Sequence, residues 1–220
     1  MENELRGTPT PMRLLLVGAT GAVGREVLAL ALADARVRAV VAPTRRALPE
    51  HPKLVNPVVD FTQLAPDAPW WQVDAVVCTL GTTIGQAGSQ PAFAAVDRDL
   101  PVAVARLARQ AGATRFALNS SLGASERGNF YLRTKAQAEA GIRALAYPSL
   151  TIVRPSLIDA RRAPVRVGEQ AGLWAARLLG PLVPARYRPV AAARIAQALL
   201  QGALQGAPGE RVIESEQLQN

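Results

Sequence analysis

Tyr131 and Lys135 lie four positions apart in the stretch YLRTKAQAE, and Lys135 is one of only two lysines, with Lys53, among 25 basic residues. On an α-helix such a pair shares one face, about 6 Å apart. A free phenol is a poor acid–base catalyst near neutral pH, but an adjacent ammonium favours the phenolate. Arginine would serve less well, because its rigid fork cannot place one compact charge beside a phenol. Ten positions before Tyr131, the stretch TRFALNSS ends in Ser120 and Ser121, hydroxyls that could hold a carbonyl or an alcohol. Two residues at helical spacing also recur by chance on solvated faces, so the reading depends on what surrounds them.

A glycine-rich turn supplies the context. The stretch VGATGAVG places Gly18, Gly21 and Gly24 between an apolar run and a helical pattern. Glycines at a strand-to-helix junction allow a tight turn and close approach of the backbone to a pyrophosphate, which then meets the aligned N–H groups of the helix N-terminus. Thr20 and Val23 belong to the same expected cofactor-binding set. The next apolar run leads into VVAPTRRALPEH, where no acid precedes Glu50 and where Arg45 and Arg46 follow Thr44. An acid there would bond the ribose 2′-hydroxyl of NAD, whereas guanidinium groups suit the 2′-phosphate of NADP. NADP(H) is therefore favoured over NAD(H), against the plainer reading of two solvated arginines. Asp60 and Phe61, after the third apolar run, could contact the adenine edge.

The elements that must position these residues alternate. MRLLLVGA, VRAVVAP, KLVNPVVDF, DAVVCTLG, TRFALNSS and SLTIVRPS read as six strands, the third irregular at Pro57. Between them, AVGREVLALALAD, the segment 90–113 and NFYLRTKAQAEAGIRAL read as helices, the second interrupted near Pro101. Alternation with glycine-ended strands predicts an α/β fold with a doubly wound parallel sheet. Beyond 156, two helical segments (169–180 and 189–204) and a short strand (210–215) predict a small, mainly helical C-terminal cap. The expected division is a flexible N-terminus at 1–11 and a single domain at 12–220, with 157–220 contributing the substrate-side cap.

Composition narrows the partners. At 220 residues and 49% apolar content the chain can bury a full core. The net charge of +8 and pI near 10.9 attract anions, yet the arginines are scattered rather than clustered, which disfavours nucleic acid and leaves phosphate-bearing small molecules. One cysteine, Cys78, excludes an internal disulfide, and with a single histidine, His51, no zinc site is expected. No uncharged run of about 18 apolar residues spans a membrane, and MENELRGTPTPMR lacks a secretory core, so a cytoplasmic protein is the expectation. Cys78 reads as a buried core residue, while Trp70, Trp71 and Trp174 are either core or pocket walls. Arg154, Arg161, Arg162 and Arg166 surround the expected substrate segment; an acidic or phosphorylated substrate explains them no better than a solvated loop. The oligomeric state is open, a homodimer included.

Taken together, GATGAVGR, CTLGTTIGQAG, AAVDRD, NSSLGAS, YLRTKAQAE and RPSLI resemble the atypical branch of the short-chain dehydrogenases/reductases over about residues 12–160. The resemblance implies a Rossmann-like fold in which Tyr131 is the general acid/base, Lys135 binds the nicotinamide ribose and Ser121, rather than Ser120, polarises the substrate. It further implies that Gly81 and Thr82 edge the cofactor and that the backbone at Pro155 covers the nicotinamide. TLGTT stands where simpler members carry an Asn-Ala-Gly motif, and the loop from Ser121 to Tyr131 is short. The expected activity is NADP(H)-dependent hydride transfer to or from a carbonyl/alcohol of a small substrate. A regulatory or redox-sensing NADPH-binding protein with little turnover is the alternative, and the small cap argues against sugar-nucleotide epimerisation.

Overall fold

The computed structural model describes residues 11–159 and 184–219. Strand β1 (Met12–Val17) leads through a tight turn into α1 (Ala22–Ala33), then β2 (Val37–Val41) and the two-residue β3 (Leu54–Val55). Strand β4 (Ala75–Cys78) is followed by a one-turn helix α2 (Ile84–Ala87) and a long helical stretch. That stretch comprises α3 (Gln90–Ala94), a wide π-helical turn at Ala95–Asp99, and α4 (Leu100–Gln110). Then come β5 (Arg115–Asn119), α5 (Phe130–Arg143), β6 (Ser149–Arg154), β7 (Ile158–Asp159), β8 (Val190–Ala191), α6 (Ala192–Gln205) and β9 (Gly209–Glu214).

Seven strands form one sheet in the order β3-β2-β1-β4-β5-β6-β9, every pairing parallel, and β7 pairs with β8 apart from it. The chain winds outward from β1 in one direction and from β4 in the other, so a crevice must open at the carboxyl ends of these two neighbours. Helices cover both faces, which is why the central strands are apolar throughout instead of alternating with polar residues. Leu14, Leu16, Ala75, Val77 and Ala117 join α1 and α6 in one core layer. Leu15, Val17, Val76, Cys78, Phe116 and Ile152 join Val104, Ala108 and Ile142 of α4 and α5 in the other. Trp71 is core, its indole N–H donating to the Ala65 carbonyl at 2.8 Å, while Trp174 lies outside the described residues.

Three elements differ from the sequence reading. The third strand is cut to two paired residues, because Pro57 offers no N–H. Only its carbonyl is used, accepting from Thr44 N–H at 3.0 Å, and Thr44 makes an isolated bridge with Val58. The Asn56 side chain fills in by donating to the Ala42 carbonyl and to Thr44 Oγ1. The helix near Pro101 widens rather than breaks: a proline ring collides with the carbonyl four residues back, here that of Asp97, and the π turn gives it room. The C-terminal part divides. The segment 160–183, including the expected helix at 169–180 and Arg161, Arg162 and Arg166, lies outside the described residues. Helix α6 packs on α1 and against the sheet, and β9 extends the sheet beside β6, so 192–214 completes the main layers.

The fit of α6 is close. A Cβ added at Gly202 would lie 2.6 Å from Thr151 Oγ1 on β6. Gly202→Ala should therefore destabilise the fold by about 1–3 kcal/mol, read as a lower urea midpoint with an unchanged slope; a neutral effect would mean α6 can move away from the sheet.

Candidate active site

Gly18 ends β1 with φ +87°, and a Cβ there would collide with Thr79 at 2.6–2.7 Å. Gly24, one turn into α1, would place a Cβ 2.0 Å from the Gly18 carbonyl oxygen, so only glycine lets α1 seat against the turn. Gly21 caps α1 with no side chain on the helix N–H groups and no acid in the first turn. These donors remain available to an anion, as a pyrophosphate requires. The residues present therefore fit a dinucleotide.

A cleft of about 620 Å³ opens at the crevice between β1 and β4. Its lining includes Gly21 and Val23 from the glycine turn, Gly81 and Thr82 after β4, Ser120 and Ser121 after β5, Tyr131 and Lys135 on α5, and Pro155 after β6. The tertiary structure thus brings together the serine, tyrosine and lysine with five of the other twelve expected cofactor-binding residues, Gly21, Val23, Gly81, Thr82 and Pro155. Gly18 and Gly24 lie beneath the turn as packing positions, and Thr20 is exposed beside it, its carbonyl accepting from Arg25. Arg45, Arg46, Asp60 and Phe61 do not line this cleft. Arg45 and Arg46 are exposed after β2. Asp60 Oδ1 accepts from the Thr62 N–H and hydroxyl, both at 2.8 Å, and Phe61 borders a separate hollow against Leu100 and Leu107.

Helix α5 begins at Asn129, whose side chain accepts from Leu132 N–H at 3.0 Å. Tyr131 is half-buried with its ring 5.6 Å from that of Phe93. Lys135 is buried, and its Nζ lies 2.7 Å from Asp97 Oδ1 on the wide turn. The other oxygen of Asp97 accepts from Thr82 N–H at 2.8 Å, and Gly81 stands against the pair, where a Cβ would lie 3.8 Å from Lys135 Nζ. Ser120 Oγ donates to Glu139 Oε1 at 2.5 Å, and Glu139 is in turn held by Arg154 at 2.6 Å. Ser121 Oγ has only a long 3.5 Å contact to the Leu122 carbonyl, which leaves its hydroxyl to a ligand.

Asp97, Glu139 and Asn119 had no role in the sequence reading. Asp97 pairs across two helices, for which no linear pattern exists; Pro101, four residues on, was the available sign of an irregular turn there. Asn119 lines the cleft with its Oδ1 buried and without a hydrogen-bond partner, a group that a bound ligand could satisfy. Arg154 faces Glu139 and Glu214 rather than the cleft, and its hydrogen bonds to Glu139 raise its pKa. Burial pushes the Cys78 thiol up to about 12, so it stays protonated and unreactive at neutral pH. Among the described residues no cluster of histidine, cysteine, aspartate and glutamate could hold a metal ion, and no helix is long and apolar enough to cross a membrane.

Removing Asp97 would leave a buried ammonium without its counter-charge. Asp97→Ala should cost about 3–5 kcal/mol, measured by urea unfolding at neutral pH; a loss below about 1 kcal/mol would mean that Lys135 reaches solvent instead.

Comparison with known proteins places this geometry. A family model described as NAD(P)H-binding matches residues 18–176. Protein HTATIP2 of Rattus norvegicus is 35% identical over 170 residues, covering 74% of this chain and 68% of that protein. The FMP52 protein of Meyerozyma guilliermondii, named mitochondrial, is 31% identical over 203 residues, covering 86% of each chain. That name gives no support to a cytoplasmic location here. Among solved structures, MoeE5 in complex with UDP-glucose and NAD shares the fold with a TM-score of 0.69 at 18% identity, covering 94% of this chain and 79% of that one. The PhqB reductase domain of Penicillium fellutanum does so with a TM-score of 0.65 at 22% identity, covering 94% and 68%. With its glycine turn, its switch-point cleft and these relatives, the chain belongs to the NAD(P)H-binding family.

Proposed function

We propose that the protein is an NADP(H)-dependent oxidoreductase acting on a carbonyl/alcohol of a small substrate, with Tyr131 as general acid/base. The observation that carries this reading is that Ser121, Tyr131 and Lys135 line one cleft with the α1 N-terminus. A bound nicotinamide supplies or accepts the hydride. The N–H groups of Ala22 and Val23 at the α1 N-terminus would bind the pyrophosphate, since Gly21 N–H already donates to the Gly18 carbonyl at 2.9 Å, and Lys135, held by Asp97, would offer its remaining N–H donors to the ribose. Ser121 Oγ donates to the substrate oxygen and fixes the carbonyl toward Tyr131. In reduction, the Tyr131 hydroxyl gives its proton to that oxygen as the carbon gains hydride; in oxidation it takes the proton back. Ser120 is the weaker candidate for the substrate contact, because Glu139 already engages its hydroxyl. Exposed Arg45 and Arg46, with no acid between β2 and Glu50, support the choice of NADP(H) over NAD(H).

A second reading, an NADPH-binding regulatory protein with little turnover, is favoured by one feature. The Lys135 ammonium is already paired with the Asp97 carboxylate at 2.7 Å.

Tyr131→Phe should lower kcat by about 10²–10⁴-fold while NADPH affinity, measured by fluorescence titration, changes less than about twofold; full activity in that variant would remove Tyr131 from the chemistry. NADPH should raise the melting temperature more than NADH at equal concentration, and equal shifts would remove the role of Arg45 and Arg46. A broad carbonyl panel that leaves NADPH unoxidised, with that thermal shift intact, would favour the regulatory reading.

A further inference from the structure

We propose that the substrate is a carbonyl compound or alcohol carrying an apolar chain, which lies over Leu157, Ile158 and Ile84 with its reacting end at Ser121 and Tyr131. This rests on hydride transfer in the same cleft and specifies its substrate class. Large apolar side chains are rarely left in water without a use when they cluster at one site. Leu157 is 68% exposed, Ile84 42% and Ile158 40%, and all three line the cleft that contains the serine, tyrosine and lysine.

The place of Leu157 and Ile158 in the sheet separates this pair from the dinucleotide's anchor, while Ile84 follows β4 next to it. The glycine turn stands at the end of β1, Ser121 at the end of β5 and Leu157 just beyond β6. From β1 to β6 is three strand spacings, roughly 14 Å, and β5 lies between them. The apolar pair Leu157–Ile158 is therefore on the far side of the reacting hydroxyl from the pyrophosphate site.

The backbone that carries this pair is pinned. Leu122 N–H donates to the Pro155 carbonyl at 2.8 Å, Ser156 N–H to Ser215 Oγ at 3.2 Å, and Val190 N–H to the Leu157 carbonyl at 2.8 Å. Leu157 is thus held outward by its framework.

Charge gives the complementary half. The charged side chains lining the described cleft are Asp97 and Lys135, and they are paired with each other at 2.7 Å. Arg154, next to Pro155 in sequence, is turned to Glu139 and Glu214. Among the described lining residues the one cation, Lys135, is committed to Asp97, so none of them offers a free counter-charge to a carboxylate or phosphate, while Arg161, Arg162 and Arg166 lie outside the described residues. An apolar chain instead removes Leu157 and Ile158 from water as it binds.

The test is steady-state reduction of the straight-chain aldehydes from butanal to decanal by the full chain with NADPH. The expected result is a kcat/KM that climbs with chain length by up to about fourfold per methylene. Leu157→Ser, at an exposed position that should leave the melting temperature unchanged, should lower the decanal-to-butanal ratio of kcat/KM about tenfold. A ratio near one in the wild type, a ratio untouched by Leu157→Ser, or faster turnover of keto acids and phosphorylated carbonyls would overturn the apolar-chain assignment and leave hydride transfer standing. No NADPH oxidation with any carbonyl would overturn both.

Discussion

The Asp97 carboxylate sits where three pieces of chain meet, and each contributes a group that burial would otherwise leave unpaired. Thr82 N–H comes from the loop after β4, the Lys135 ammonium from α5, and the carboxylate itself from the wide turn before Pro101. A buried charge is tolerated only with such compensation, and here each partner serves to compensate another. Had the helix kept regular spacing, Pro101 would have met the Asp97 carbonyl; the extra width that avoids this collision also sets where Asp97 stands. A backbone accommodation and a site-forming ion pair are thus one feature.

Helix α5 is held from its other side by a second carboxylate. Lys135 and Glu139 are four residues apart, a spacing at which lysine and glutamate commonly pair on an isolated helix. Lys135 and Glu139 do not pair with each other here, although Glu139 takes Arg143 four residues on at 3.3 Å. Lys135 turns to Asp97, while Glu139 turns to Ser120 and Arg154, and Arg154 continues to Glu214 on the edge strand β9. The helix is clamped between the β4 loop on one side and the β6–β9 margin on the other, and Tyr131 one turn earlier inherits that fixed position. The same clamp distinguishes two adjacent serines, engaging the hydroxyl of Ser120 and leaving that of Ser121 to the cleft. Beyond them, Leu157 and Ile158 bring exposed apolar side chains to the cleft after β6, as Ile84 does after β4.

Much of the framework was legible in the chain, because its signals are local. Apolar runs ending in glycine marked β1 and β4, the spacing of Val23 and Val27 marked α1, and the turn at Gly18 follows from a backbone that only glycine adopts without strain. The role of 192–214 was not legible. Sequence order placed these residues after the six-strand pattern, and nothing local told that β9 would register against β6 or that Gly202 would let α6 close onto Thr151. Likewise Pro101 signalled a disturbance without saying whether the helix would break or widen.

The sequence by itself determined the doubly wound alternation, the glycine turn before α1 and the placement of Tyr131 and Lys135 on one helical face, since each depends on a short-range period or on the conformational range of one residue type. The tertiary structure decided the rest: that Lys135 meets Asp97, that Ser120 is committed while Ser121 is not, that Arg154 turns from the cleft, and that Leu157 and Ile158 are held out at its far end. These depend on which distant segments the sheet order brings side by side. A buried charge takes the partner that is nearest in space, which the linear chain does not encode at any fixed separation.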